Sequence, residues 1–437
     1  MRARARPREP VDLQIDTLSH EGRGVARLDG KTVFVHGALP TEQVRARILR
    51  RRGRFDEAET LEVLQAAANR VTPRCAHFGT CGGCSLQHLS EDEQLRHKQQ
   101  VLLELLHHHA GAAPDTLAEP VRGPQWGYRR KARLGVKHVT KKGGVIVGFR
   151  ERASPYVTDC RHCDILDPRI GARLPALRDL IAALSIPAQI PQLEIALSDS
   201  RAVLVVRHLA PLSGNDRDAL AAFARTHGVE FYLQSGGPHT ITPLDGPARP
   251  LEYRVDDIVL AFEPADFIQV NSVINQHMVE TALHYLQPGA ADDIADLFCG
   301  IGNFTLPLAR RAGHVIGLEG EQALIERARS NAVANGIDNC SFDVADLALP
   351  TGLAGRLPGS VSKLLLDPPR TGALAVVENL DCSAMETIVY VSCNPVTLAR
   401  DAGVLIRRQG YRLRETGILD MFPHTAHVES ISVFERR

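Results

Sequence analysis

Hydrophobic and polar positions alternate in short runs across residues 11–66: VDLQIDTL, GVARL, TVFVHGAL, QVRARILR and EAETLEVL, separated by EGRG, LDGK and PTE. Period-two alternation interrupted by turn-forming residues predicts short strands, and their close spacing predicts a small β-barrel. The period then changes. SEDEQLRHKQQVLLELLHHHAG places apolar residues every three to four positions, predicting an amphipathic helix with Ser90 as its N-cap and acids in its first turn. YRRKARLGVKH and VIVGFRER, joined by VTKKGG, predict a hairpin, and residues 175–265 mix strands and helices without motifs of evident chemistry. From about residue 266, apolar strand-like runs alternate with helical ones, the pattern of a parallel sheet flanked by helices. The expected organisation is an oligonucleotide-binding-type β-barrel over 1–68, a central α+β domain over 69–265 and a Rossmann-like α/β domain over 266–437.

Composition narrows the class. With 437 residues, 44% hydrophobic and 23% charged, the chain is ordinary globular material, which excludes disordered and collagen-like structure. No stretch approaches the ~20 apolar residues of a membrane span, and the basic start MRARARPREP is followed by no apolar export core. Nine cysteines, an odd number, read as metal ligands, catalytic thiols and buried small residues rather than a disulfide framework, so a cytoplasmic setting without membrane contact is expected. The 51 Lys+Arg balance 51 Asp+Glu, which taken whole argues against nucleic acid. The charge is unevenly spread, however. Arg45, Arg47, Arg50, Arg51, Arg52 and Arg54 occur in a run without an acid, and residues 122–152 carry ten Lys+Arg against Glu151 alone, a net of +9. Both stretches are expected to face phosphates, with Trp126 and Tyr128 available to stack on bases. The exposed ends of a helix suit the consecutive His107, His108 and His109 better than a metal does, because adjacent helical positions point in different directions.

The chemistry concentrates in the last third. In DIADLFCGIGNF, a strand ends at a turn whose glycines, Gly300 and Gly302, let the backbone pass close to a ligand. HVIGLEG ends a second strand at Glu319, where an acid can bind ribose hydroxyls, and SFDVADL places Asp346 after a third, within reach of an adenine. Acidic strand ends in series resemble those of the S-adenosylmethionine-dependent methyltransferases. KLLLDPPRTG then carries Asp367-Pro368-Pro369-Arg370; methyltransferases acting on amino nitrogens of bases have an aromatic after the prolines, and Arg370 disfavours such a target. TIVYVSCNP ends a further strand at Cys393, placed at the ligand crevice as a nucleophile. A thiolate is what methylation of uracil carbon-5 requires: addition at carbon-6 turns the ring into an enolate nucleophilic at carbon-5. A base must afterwards remove the carbon-5 proton, and the tail MFPHTAHVESISVFERR offers His424, His427 and Glu429, of which Glu429 is the expected base.

Taken in order, DLFCGIGNF, LLLDPPR, VSCNP and HVES resemble the RNA uracil-carbon-5 methyltransferase family, and FIQVNSVIN (Phe267 to Asn275) resembles its stretch before the cofactor strand. The resemblance implies Cys393 as nucleophile, Glu429 as base, Asp367 as an active-site carboxylate, and Gln269, Phe298, Asn303, Glu319, Asp346 and Asp367 as cofactor-binding residues. Three further cysteines cluster as Cys75-x5-Cys81-x2-Cys84, and a fourth soft ligand is available from Cys160 or Cys163, a set suited to zinc or, better, an iron–sulfur cluster. The family's iron–sulfur members imply a [4Fe–4S] cluster on Cys75, Cys81, Cys84 and Cys163, with Cys160 spare. GRGVARLDGKTVFVHGALP resembles the RNA-binding TRAM barrel. Barrel and cysteines together are similar to the bacterial branch that methylates a uridine of 23S ribosomal RNA, which implies a monomer with that RNA as partner. A transfer-RNA uracil methyltransferase is the nearest alternative; a non-catalytic RNA-binding or ribosome-assembly factor, or an iron–sulfur redox enzyme, is the alternative from another class.

Overall fold

A computed structural model describes residues 9–380 and 385–437, so the first eight residues of the basic start lie outside the described ones. The chain forms two compact units. One gathers the residues up to Val101 with the segments Arg150–Thr158 and Phe422–His427; the other comprises Leu102–Phe149, Asp159–Met421 and Val428–Arg437.

In the first unit the alternating runs of residues 11–65 become a six-stranded sheet, ordered Val11–Gln14, Gln43–Arg51, Phe55–Gln65, Lys31–His36, Gly24–Leu28, Thr17–Leu18. Alternation decides the faces: along Gln43–Arg51, Val44, Ala46 and Ile48 turn inward onto Leu13, Ile15, Val33 and Val35. At the bottom of the sheet the buried Glu42 accepts from the backbone N–H of Leu39 at 2.8 Å and of Ala67 at 3.2 Å, and pairs with the Arg70 guanidinium. These donors hold its carboxyl below the ordinary glutamate range although burial pushes the other way. The expected helix runs from Glu91 to Leu105 with Glu91, Asp92 and Glu93 in its first turn. It continues as a π-helical turn, Leu106–Ala110, ended by Gly111 at φ 66°. His107, His108 and His109 are exposed on that turn.

In the second unit the basic hairpin, Lys131–Val139 with Gly144–Gly148, pairs as expected and edges a six-stranded sheet continued by Gln192–Leu197, Ala202–Arg207, Glu230–Gln234 and Ile241–Pro243. The catalytic half forms an eight-stranded sheet. Its order is Cys340–Val344, His314–Glu319, Asp293–Leu297, Val361–Leu366, Thr387–Ser392, Glu429–Arg436, Tyr411–Leu419, Thr116–Leu117. The first five strands are parallel, and the buried apolar runs of the inner ones, such as residues 315–318, 364–366 and 388–391, follow from cover on both faces. Strand order reverses between Asp293–Leu297 and Val361–Leu366, the place where doubly wound sheets open a ligand crevice. Glu429–Arg436 runs antiparallel to Thr387–Ser392, so it begins at the edge where the parallel strands end. Among the described residues no helix is long and apolar enough to cross a membrane.

Candidate active site

Each strand of the crevice delivers one chemical group at its carboxyl end. After Asp293–Leu297, Phe298 takes a left-handed conformation at φ 67°, and its N–H, with that of Cys299, donates to Leu318 O. Gly300 and Gly302, at φ 55° and 93°, complete a turn that side-chain-bearing residues rarely adopt. Glu319 ends the neighbouring strand; its Oε2 accepts from the Gly300 N–H at 3.2 Å, and its Oε1 from the N–H groups of Gly320 and Glu321. The glycine turn and the acidic strand end are therefore one hydrogen-bonded unit. Asp346 is exposed beyond the third strand, with Oδ1 accepting from Ala348 N–H at 3.0 Å. Asn303 lies at the start of the following helix, where its amide exchanges two 3.0 Å hydrogen bonds with Asn275 and its Oδ1 accepts from Tyr253 Oη. Gln269 is 8% exposed, in the segment leading to helix Ser272–Leu286.

Two strands further along, Asp367 follows Val361–Leu366, and Cys393 follows Thr387–Ser392. The antiparallel register pairs Ser392 with Ser430, which sets Cys393, one residue on, across from Glu429, one residue back. Cys393 is half-buried and Glu429 is 3% exposed. Burial and the charges of Glu429 and Asp367 push the Cys393 thiol up to about 11, with Arg370 opposing. Burial and Asp367 push Glu429 up to about 8, again opposed by Arg370. Asp367 itself rises to about 7 through burial and the charges of Asp296 and Glu319. The site thus collects carboxyl groups in a dry crevice, an arrangement that favours a cation arriving there.

The loop bearing Arg370 is held by the helix after the cysteine. Arg370 O accepts from Asn394 Nδ2 at 2.9 Å and Thr397 Oγ1 at 3.3 Å, and Thr371 O accepts from the Arg400 guanidinium. The fully buried Asp401 receives Ala373 N–H at 2.7 Å and Tyr390 Oη at 2.8 Å. Gly372, at φ 78°, has no room for a Cβ beside Arg400 and Asp401.

Sequence reasoning passed over two groups. Asp296 was visible within the glycine motif without a role; it is fully buried, accepts from Thr305 Oγ1 at 2.6 Å, leaves Oδ1 without a partner and is pushed up to about 7. Arg370 was weighed only against an aromatic, whereas it is the cation opposing the acids at both Cys393 and Glu429. Of the other candidate bases, His424 is buried within the first unit, its Nδ1 3.3 Å from Gln94 Nε2. Cys75, Cys81 and Cys84 are half-buried in the first unit, where Cys81 Sγ accepts from Gly83 N–H at 3.4 Å; Cys163 is half-buried and Cys160 buried in the second. Among the described residues no group of three or more His, Cys, Asp or Glu is arranged to hold a metal ion.

The basic stretches are less uniformly positive than their sequences. Opposite the arginines of Gln43–Arg51, the neighbouring strand presents acids: Arg45 pairs with Asp12 and Glu62 at 3.0 Å, Arg47 with Glu59 at 2.9 Å and Arg52 with Glu57 at 3.1 Å. Such exposed pairs contribute little to stability. In the hairpin, Arg133, Lys137 and Lys141 remain exposed, but Arg130 is 4% exposed and Tyr128 7%, so both belong to the interior rather than to an RNA-facing surface.

Comparison with known proteins agrees with this geometry. The family model described as tRNA (Uracil-5-)-methyltransferase matches residues 249–347 and 359–437, and that of the TRAM domain matches residues 4–61. The 23S rRNA (uracil(1939)-C(5))-methyltransferase RlmD of Alkalilimnicola ehrlichii is 52% identical over 100% of this chain and 98% of its own length. The RlmD of Stenotrophomonas maltophilia strain K279a is 50% identical, covering 100% of both chains. Among solved structures, the Pyrococcus abyssi tRNA (uracil-54, C5)-methyltransferase in complex with S-adenosyl-L-homocysteine superposes with a TM-score of 0.73 over 97% of this chain and 100% of its own; at 23% identity it supports the fold.

Proposed function

Because this chain belongs to the RNA uracil-C5 methyltransferase family, we propose that it methylates carbon-5 of a uridine in 23S ribosomal RNA, the nucleotide named for its relatives, with Cys393 as nucleophile and Glu429 as base. One observation carries the assignment of roles: the register of two antiparallel strands sets a thiol and a buried carboxyl opposite each other at the end of the crevice.

The residues suit S-adenosylmethionine: Phe298 and Asn303 flank the glycine turn, Glu319 is hydrogen-bonded to it, and Gln269 and Asp346 are the further candidates, while burial and neighbouring acid charge raise the proton affinity of Asp296 and Asp367. When bound, S-adenosylmethionine supplies the methyl group as a sulfonium electrophile and leaves as a neutral thioether. Cys393 Sγ, as thiolate, forms a bond to uracil carbon-6; the ring's carbon-5–carbon-6 electron pair moves into the carbonyl system as an enolate. Arg370 lowers the proton affinity of both Cys393 and Glu429, favouring the ionised forms that the reaction needs. Carbon-5 takes the methyl group, forming one carbon–carbon bond as the methyl–sulfur bond breaks. Glu429 then removes the carbon-5 proton, the electron pair re-forms the carbon-5–carbon-6 double bond, and Cys393 leaves as thiolate. Reaching the base requires its extrusion from the RNA, at ~a few kcal/mol.

We assign a [4Fe–4S] cluster to Cys75, Cys81, Cys84 and Cys163. The donor set supports it: half-buried thiols, one already accepting a backbone N–H of the kind that stabilises thiolate ligands. Its role is structural, and no step of the reaction passes through it. The three-domain division at residues 68 and 265, a monomeric state and a cytoplasmic setting complete the reading.

Incubation with labelled S-adenosylmethionine and 23S ribosomal RNA transcribed without modifications tests the function. Label at carbon-5 of one uridine is expected; transfer to transfer RNA alone, or to neither RNA, overturns it.

A further inference from the structure

Arg129, Arg130 and Lys131 read in sequence as the most basic point of an RNA-facing hairpin, yet the structure turns them onto the protein's own backbone. Arg129 bridges to Asn271, and the Arg130 N–H donates to Val270 O at 3.0 Å. Arg130 Nε donates to Gln269 O, also at 3.0 Å. Lys131 Nζ donates to Pro264 O at 2.8 Å and to Asp266 O. The segment 264–271 is thus gripped along its length by three consecutive residues, the two before strand Lys131–Val139 and its first. The guanidinium of Arg130 also lies over the Tyr253 ring, 4.4 Å from its centre, with Asp199 Oδ1 3.7 Å away. Tyr253 in turn donates its hydroxyl to Asn303 Oδ1 at 3.0 Å, and Asn303 and Asn275 hold each other reciprocally. From Arg130, then, one path of contacts reaches Gln269 directly and a second reaches Asn303 through Tyr253.

We propose that Arg130 is a positioning residue for the cofactor site, fixing the Gln269 backbone by hydrogen bond and the Asn303 side chain through the stacked Tyr253, and that it makes no contact with RNA. The proposal rests on the reading of Gln269 and Asn303 as cofactor-binding residues. Its physical basis is the shape of the side chain. A guanidinium is planar, so it can present one edge N–H to a carbonyl while its face covers an aromatic ring; an ammonium has no face and cannot satisfy both. Burial argues the same way: at 4% exposure Arg130 is withdrawn from the surface, and the ring, the Gln269 carbonyl and Asp199 offset part of the cost of burying its charge, while Nη1 and Nη2 have no hydrogen-bond partner.

The test compares R130K, R130M and Y253F with the parent protein and with Q269A, by S-adenosylhomocysteine titration calorimetry, RNA filter binding across a salt series, and thermal unfolding. R130M and R130K are expected to weaken S-adenosylhomocysteine binding about tenfold, and Y253F, which keeps the ring and loses only the hydroxyl, severalfold. RNA affinity and its salt slope should stay within twofold of the parent in all three. A purely structural role predicts instead that unfolding temperature falls while cofactor affinity holds, and Y253F, the mildest change, keeps that distinction measurable if the Arg130 variants fold poorly. Unchanged cofactor affinity in R130M and Y253F alongside weakened binding in Q269A overturns the proposal and leaves the site reading intact. Unchanged affinity in Q269A as well removes Gln269 from the cofactor site, and the proposal with it. A fall in RNA affinity with a salt slope reduced by about one for R130M would return Arg130 to the RNA surface.

Discussion

Cys393 and Glu429 stand opposite each other at the start of a two-strand antiparallel ladder, fixed there by the pairing of Ser392 with Ser430. In the proposed mechanism the thiol adds to a ring and the carboxyl later takes a proton from the adjacent ring carbon, so both act on one target. Separating the two roles is straightforward. Cys393→Ala should abolish both methyl transfer and any covalent RNA–protein species on a denaturing gel. Glu429→Gln should slow product release ~10²–10⁴-fold while accumulating that covalent species. Full turnover by Cys393→Ala, or loss of adduct in Glu429→Gln, would contradict the assignment.

The pH dependence follows from the raised carboxyls. Cys393 must be ionised to add to the ring and Glu429 to accept a proton, and they are pushed up to about 11 and about 8, so the turnover rate at limiting cofactor should rise with pH through about 8 and go on rising above it. The sulfonium of bound S-adenosylmethionine favours the ionised carboxylates, so saturating cofactor should move the rising limb to lower pH. Arg370→Gln, which removes the opposing cation, should move it higher. A flat profile between about pH 6 and 9 would show that neither Cys393 nor Glu429 titrates in the reaction.

Asp296 offers a stability readout. Its carboxyl is raised from an ordinary 3.8 to about 7, so the folded state holds a proton that the unfolded state releases. Stability from this group is present at low pH and is lost as pH rises through about 7. The unliganded protein should therefore lose up to ~4 kcal/mol from this group between about pH 4 and 8, and Asp296→Asn should flatten the decline. Denaturant unfolding at several pH values measures it; a parallel decline in both proteins would count against the assignment.

Asp401 supports the Arg370 loop from beneath through Ala373 and Tyr390. Asp401→Ala leaves a buried N–H and a buried hydroxyl without their acceptor and should cost ~2–4 kcal/mol of stability. Activity at a temperature where the variant is still folded should fall as well, because the loop that aims Arg370 is loosened.

Iron and sulfide analysis of protein prepared without oxygen should find about four of each per chain. Cys163→Ala should lose them and Cys160→Ala should keep them. Stoichiometric zinc in a colourless protein would replace the cluster assignment, and removal of the metal should lower unfolding temperature more than it lowers the affinity for S-adenosylhomocysteine.

Much of this protein was legible before any coordinates. The glycine turn, the acidic strand ends at Glu319 and Asp346, the Asp367 loop and the Cys393 strand end are each encoded in a few consecutive residues, because a strand, its turn and the next helix are local structures. The alternating runs near the start likewise announced a β-sheet. The misread features all depend on partners distant in sequence. Arg45, Arg47 and Arg52 look unopposed in a local charge count, but strand pairing sets Glu57, Glu59 and Glu62 beside them. Arg130 and Tyr128 look like parts of a basic, aromatic RNA surface, but sheet packing turns them inward.

By itself, then, the sequence determined the family and located the glycine turn and the strand-end cysteine, since each is a contiguous motif set by residue type and spacing. Glu429 is already the expected base in the sequence; tertiary structure added its place across from Cys393, because only an antiparallel strand pairing beside Thr387–Ser392 brings the two ends together. It also decided which basic residues are exposed and which turn onto the protein's own backbone, since the direction of a side chain is set by the surface its segment packs against and not by its charge.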